Sequence, residues 1–363
     1  MPDRQIVKLS NCKGVILYML WFFLIFSTLA WGIAEIFYKK GSLEKEKYSH
    51  LKITILVGFF MGAYATVILF TQGIDLKAFP KNFLIYLPVS LCYIVSMTCS
   101  YFGVRFIEES ISDPIENTSG AVVPILCAVF LHQTLEIPAV VCIVVIAVGI
   151  LCVGFFDKKG KEDRHRKYGK KLAVWAIAMP FCYMILDAVG TFLDIFYTDG
   201  VDTTLLVNVT EDNLEHTANC AYEFTFLLVA IGLLIFLKIK GEKLFSLGAA
   251  APRETRMTGK PADGDRFAAE TGDGEAMERK WYQKVLDQKW KILAAVFETA
   301  GQATYLFALS EGTGIAAVIL GAGTIITSLI LSRIFLKEKL TALQYVFIGI
   351  IMAGIISLAL VGG

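Results

Sequence analysis

Residues 35–41 read Glu35-Ile36-Phe37-Tyr38-Lys39-Lys40-Gly41, and residues 194–200 read Asp194-Ile195-Phe196-Tyr197-Thr198-Asp199-Gly200. Each places an acid, two aromatics and a glycine at the end of a long apolar stretch. A second pair, Phe130-Leu131 with Leu135 and Phe335-Leu336 with Leu340, stands at junctions after corresponding stretches. Matching endings in corresponding places point to an internally repeated chain. If each half carries an odd number of membrane spans, the second half is inverted relative to the first, as in many secondary transporters.

Outward from these endings, ten stretches of low charge alternate with clusters of Lys, Glu and Asp: 14–38, 52–72, 83–104, 112–131, 138–156, 171–197, 220–238, 290–309, 313–335 and 342–361. Their lengths approach what the hydrocarbon thickness demands of a spanning helix. Composition agrees, since 56% of residues are hydrophobic and 18% charged, more apolar surface than a water-exposed domain can hide. None of the stretches alternates like a barrel strand, and backbone amides in hydrocarbon must be paired within their own segment. The predicted fold is therefore an all-α polytopic membrane protein with ten transmembrane helices in two inverted five-helix repeats. The first repeat spans 14–156, a basic loop 157–170, and the second repeat 171–361, interrupted by a polar loop at 239–288.

Arg4, Lys8 and Lys13 ahead of an apolar run imitate a secretory signal. The run is too long and lacks a small-residue cleavage site, so it reads as a retained first helix. Trp21, Trp31, Trp175, Tyr38, Tyr48 and Tyr197 fall near predicted helix ends, where headgroup depth suits their rings. Of the 8 cysteines, Cys92, Cys99, Cys127, Cys142, Cys152 and Cys182 fall within predicted spans as small packing groups. Cys12 and Cys220 would share one side, which leaves a single bridge open. His50, His132, His165 and His216 are scattered through loops and helix ends and read as solvated surface; no metal-ligand spacing occurs and no cofactor is expected. A net charge of +1 gives no reason to expect nucleic acid as a partner.

Most of the 34 Lys and Arg residues fall in the odd-numbered loops. Lys158, Lys159, Lys161, Arg164, Arg166, Lys167, Lys170 and Lys171 crowd the fifth, whereas Asp199, Asp202, Glu211, Asp212 and Glu215 gather in the sixth. The positive-inside rule then puts the odd loops in the cytoplasm and both termini outside. Residues 252–274 are expected to be disordered, and 277–290 to form an amphipathic surface helix with Trp281, Val285 and Leu286 toward lipid or protein. Asn208-Val209-Thr210 is a glycosylation sequon that matters only in a secretory pathway.

Ionisable side chains are costly in hydrocarbon, so those within the spans should face the bundle interior. They are Glu35, Asp113, Glu116, Asp187, Asp194, Glu223 and Glu298. Arg105 and Arg333 sit near helix ends, where snorkelling accounts for them. The fourth span opens Asp113-Pro114-Ile115-Glu116-Asn117-Thr118-Ser119-Gly120. Either its polar stripe lines a cavity, or the helix starts late with Asp113 as cap and Pro114 in its first position. On the eighth span Glu298, Gln302 and Tyr305 share a face, as do Asp187, Thr191 and Asp194 on the sixth; cavity walls or interhelical hydrogen bonds would both use such faces. Glu35 and Asp194 lie near helix ends, where an interfacial structural role is the alternative. Gly312, Gly314, Gly321 and Gly323 suit close helix packing.

Trp31-Gly32 in the first span, Ser332-Arg333-Ile334-Phe335-Leu336-Lys337-Glu338-Lys339-Leu340-Thr341 at the end of the ninth, and the glycine-containing tenth together resemble the drug/metabolite transporter superfamily, in its ten-helix branch with two EamA-type repeats. The family usually shows Gly-Glu where this chain has Lys337-Glu338, and Gln133 stands at the matching place in the first half. The family often has cytoplasmic termini, against the charge count. The resemblance implies alternating access around a central cavity lined by the first, third, fourth, sixth, eighth and ninth helices. It also implies a bacterial inner membrane.

On those helices the expected substrate-binding residues are Glu116, Asn117, Glu298, Gln302, Tyr305, Asp187, Thr191, Glu35 and Asp113. A carboxylate in a cavity of low dielectric can take up a proton and exchange it for a cation. Proton-coupled movement of an amine or amino-acid-like metabolite across the lipid bilayer is the leading expectation. An intramembrane enzyme using paired acids and a receptor or scaffold using 239–288 are the alternatives. Against the first, no Gly-x-Gly-Asp, Gly-x-Ser-x-Gly, His-Glu-x-x-His or Asp-Asp-x-x-Asp motif occurs.

Overall fold

The computed structural model describes residues 3–130, 132, 135–156, 166–198, 201–245, 281–311 and 315–362. These form helices and connecting turns, with no strand among the described residues: α1 (Asp3–Gly41), α2 (Ser49–Thr71), α3 (Phe79–Gly103), α4 (Glu109–Glu116), α5 (Ser119–Phe130), α6 (Ile137–Phe156), α7 (Lys170–Thr198), α8 (Leu214–Ile239), α9 (Trp281–Leu286), α10 (Lys289–Glu311), α11 (Ile315–Leu331), a π-helical turn (Ser332–Leu336) and α12 (Ala342–Gly362). Five described segments are long and apolar enough to cross a membrane: Phe22–Gly41, Ser49–Thr71, Phe79–Gly103, Lys170–Thr198 and Leu214–Ile239. Shorter apolar helices cover Ile137–Gly149, Gly323–Leu336 and Ala342–Leu358.

The outer surface is what water would not tolerate. Phe70, Leu84, Val129, Ile137, Ile235 and Leu360 all point outward and exposed, while Glu109, Ser112, Asp113, Glu116 and Glu223 are buried. This inversion of the soluble pattern identifies lipid as the surrounding solvent. The protein is a polytopic α-helical membrane protein.

Helix pairing follows a reciprocal scheme. α1 packs along α10, and α3 along α7; α1 also meets α11, and α7 meets α4 and α5. α2 lies on α8, α6 on α12, and the α3–α8 contact is mirrored by α2–α10. Close approach at the two main crossings depends on glycine. A Cβ on Gly301 of α10 would lie 2.5 Å from the Trp31 ring of α1, and one on Gly190 of α7 would lie 3.1 Å from the Tyr93 ring of α3. Gly323 meets Thr28 of α1 in the manner expected of a packing glycine; Gly312 and Gly314 lie outside the described residues.

The fourth apolar stretch departs from the sequence reading. It begins earlier, at Glu109, and breaks into α4 and α5. Pro114 contributes no N–H to α4, and Asn117 Nδ2 and Thr118 Oγ1 turn back onto the carbonyls of Asp113 and Ile115. Side chains that compete for the preceding turn's carbonyls end a helix there. Asp113 is thus neither a cap nor the start of the helix. At the entry to α4, Glu338 accepts the backbone N–H groups of Glu109 at 3.0 Å and Ser110 at 2.9 Å, plus the Ser110 hydroxyl at 2.7 Å. Its neighbour Lys337 ends the π-helical turn at φ +58°. That is the left-handed conformation glycine adopts at least cost, which explains the glycine usual in the resembled family.

Other expectations are corrected. The seventh stretch starts at Leu214, so Cys220 lies inside α8, buried and free, with its thiol toward the Ala65 carbonyl. His50 is not solvated surface: it contacts Arg105 at 3.2 Å and meets Phe102 edge-on. Arg105, 6% exposed, does not snorkel but donates to the carbonyls of Glu44, Glu46 and Lys47. Arg333 is exposed, as a snorkelling residue should be. The surface helix before α10 is present as α9 over six residues, with Leu286 exposed. Most of the basic run at 158–164, the segment 246–280, Gln133, His165 and the side chains of Trp21, Cys12 and Trp281 lie outside what is described.

Candidate functional site

A cavity of about 310 Å³ opens at the centre of the bundle, between α1, α3, α4, α5, α7, α8, α10 and α11. Eight of the nine residues singled out in the sequence line it: Glu35, Glu116, Asn117, Asp187, Thr191, Glu298, Gln302 and Tyr305. Asp113 does not. It is 1% exposed, and its carboxylate accepts the Ser328 hydroxyl of α11 and Asn117 Nδ2, the latter at 2.7 Å, so it joins helices instead of facing the cavity. Glu223 is buried as expected but stands away from the cavity, with both carboxyl oxygens lacking a hydrogen-bond partner among the described residues.

The helices place these groups at different heights. Ser42, just beyond α1, donates to the carbonyl of Tyr101 near the end of α3 at 3.1 Å, while Asn82 near the start of α3 donates to the Val207 carbonyl beyond α7 at 2.9 Å. α1 and α7 therefore end at opposite ends of the bundle. At the α1 end, Tyr38 donates to Glu298 Oε2 at 2.7 Å and packs on Tyr101, with ring centroids 4.4 Å apart. Glu35 lies one turn further in, its Oε2 buried without a hydrogen-bond partner. Glu116 accepts the Ser112 hydroxyl at 2.7 Å. At the α7 end, Tyr86 donates to Asp194, Tyr93 and Thr191 hydroxyls meet at 3.2 Å, and Gln302 donates to Asn219 at 3.1 Å.

Beneath the α1 end lies a buried charge cluster. Glu46 meets Lys52 and Lys291, each at 2.6 Å, with the three side chains 4%, 0% and 2% exposed. In the cavity itself the balance is one-sided. Six carboxyl groups, Glu35, Glu116, Asp187, Asp194, Glu215 and Glu298, face inward with seven tyrosines, and no Lys, Arg or His appears among the described lining residues. Such a chamber offers hydrogen-bond acceptors, negative charge and aromatic faces, the chemistry that receives a cation.

Much of this wall is absent from the sequence reading. Tyr38 and Trp31 were expected at headgroup depth; both line the cavity, and the Trp31 ring lies tilted at 49° to that of Tyr305, with centroids 5.2 Å apart. α8 was not expected to contribute, yet Glu215, Asn219 and Tyr222 do. On α3, Tyr86, Tyr93 and Tyr101 recur at helical spacing and would have marked its inner face.

The described bundle thus has an apolar exterior and an acidic, aromatic chamber at its centre. The chain belongs to the EamA-like transporter family, whose model matches residues 18–155 and 274–360. Compared with curated proteins, the chain finds no match.

Proposed function

We propose that this protein is a secondary transporter, not an enzyme, that moves a small amine or amino-acid-like solute by alternating access, coupled to protons. The observation that carries the reading is the cavity with six inward carboxyl groups and no described base. A buried carboxylate without a counter-charge is costly, so each such group is stabilised either by a proton or by a cationic solute. Exchange of one for the other at the same oxygens couples the two flows.

The two matched regions, the reciprocal helix pairing and the recurring endings at Tyr38 and Tyr197 support ten spans in two inverted repeats, 14–156 and 171–361. Rocking of one repeat against the other supplies alternating access in that architecture. The cavity lining extends to Thr198 and Glu215, in the terminal turns of α7 and α8, while Tyr38, Tyr101 and the Glu46 cluster close the α1 end. With the odd loops cytoplasmic, this is an outward-facing arrangement in a plasma membrane, of the bacterial inner type.

Uptake into proteoliposomes, with labelled amines and amino acids and an imposed pH gradient, tests the reading. Saturable flux that responds to the gradient and is lost in Glu298→Gln and Glu116→Gln is the expected result. Flux of a solute that ignores the gradient removes the coupling, and absence of flux for every solute removes the transporter.

A further inference from the structure

We infer that the cavity is shaped for a short linear diamine, gripped by one ammonium group at each end; this rests on the transporter reading and narrows its solute. The two acids of the recurring endings, Glu35 and Asp194, both line the cavity and come from helices that end at opposite ends of the bundle. Glu35 shares its end with Glu298, and Asp194 shares its own with Glu215. Along α7 from Asp187 to Asp194 the helix rises by about 10 Å, so the acids of this helix alone are spread along that length of the chamber. Related acids at both ends of one chamber present similar chemistry to both ends of a ligand.

A second observation is Glu35 itself, which lines the cavity while its Oε2 is buried without a hydrogen-bond partner among the described residues, so the fold leaves this carboxyl group incompletely compensated. Tyr93, Tyr183, Tyr222 and Met97 line the same chamber, alongside Asp187 and Glu116. Aromatic faces and a thioether suit methylene groups and attract nearby ammonium charge. A monoamine would leave one acidic end uncompensated. An amino acid would hold its own carboxylate against one of the two acidic ends, an arrangement that like charges oppose.

The test is equilibrium binding to the full-length protein in lipid nanodiscs, using α,ω-diaminoalkanes of two to eight methylenes alongside n-alkylamines of equal length. We expect a maximum at three to five methylenes and a preference of about 30-fold or more over the matching monoamine, as a second charge-assisted contact provides. Asp194→Asn should weaken diamine binding by about tenfold or more and shrink its preference over the matching monoamine. The chain-length series needs no variant, so it stands if Asp194→Asn fails to fold. Equal binding of monoamine and diamine, a flat length series or no binding of any amine overturns the inference. If a zwitterion or monoamine is still moved in proteoliposomes, the diamine falls and the transporter reading survives; if no solute moves, both fall.

Discussion

The hydroxyl of Tyr38 donates to Glu298 Oε2 at 2.7 Å, tying the end of α1 to the middle of α10 across 260 positions of sequence. A hydrogen bond to a charged group contributes about 1.5–3 kcal/mol. Tyr38→Phe should therefore keep the fold and weaken substrate flux by about tenfold or more, whereas Glu298→Gln should abolish saturable flux. Initial uptake rates normalised to protein incorporated in proteoliposomes separate the two. Equal rates for Tyr38→Phe and wild type would show that the bond does not position the carboxylate.

Glu46 holds two lysines that are 0% and 2% exposed. Removing its charge takes this counter-charge from both buried ammonium groups, and breaking a buried pair in this way costs about 3–5 kcal/mol. Glu46→Gln should lower the thermal midpoint in detergent sharply, and Glu46→Gln combined with Lys291→Met should recover part of the loss. A single variant as stable as wild type would indicate that water already solvates the lysines.

Glu338 is the fastener between the end of α11 and the entry of α4. Glu338→Ala removes an acceptor shared by two backbone amides and a hydroxyl, a capping loss of about 1–2 kcal/mol. Hydrogen exchange should rise at 109–112 with little change in α2 and α8. Uniform exchange across all helices would place the effect elsewhere.

Lys337 adopts φ +58°. An L-residue in that region costs about 1–2 kcal/mol relative to glycine, partly offset by glycine's greater freedom when unfolded. Lys337→Gly should therefore stabilise the protein by about 0.5–1 kcal/mol, read as a higher thermal midpoint. A lower midpoint would mean that the lysine side chain makes a contact worth more than the strain.

Outside the membrane, Glu44 accepts from Lys167 at 2.8 Å and from Tyr168 at 2.6 Å, which pins the short segment before α7 to the first loop. Burial opposes its ionisation, but the bonds from Lys167 and Tyr168 outweigh it and hold the carboxyl below its ordinary value. A depressed carboxyl stabilises the contact above its unperturbed range, and that contribution disappears as pH falls through the depressed value. Hydrogen exchange at 166–168, corrected for its intrinsic pH dependence, should rise as pH drops below about 4, and Glu44→Gln should show the raised level at neutral pH. Protection unchanged in both cases would make the bond incidental.

The acids of the cavity were legible because charge in an apolar run has one economical place to go, the bundle interior. That argument placed Glu35, Glu116, Asp187 and Glu298 correctly relative to the cavity. It could not place Asp113, whose partner Ser328 is 215 positions away. It misplaced Trp31 and Tyr38 because an aromatic near a helix end suits either the headgroup layer or a neighbouring helix.

By itself the sequence determined the helical class and the membrane as solvent, since each follows from local rules: apolar length and backbone pairing within each segment. Only the tertiary structure decided that α4 and α5 are separate helices, that α8 helps form the cavity wall and that Glu338 fastens α4. It also decided that Glu35 and Asp194 confront one space from opposite ends. These are contacts between segments far apart in the chain. The rotation and crossing of packed helices set them, and no single helix carries that information in its own pattern.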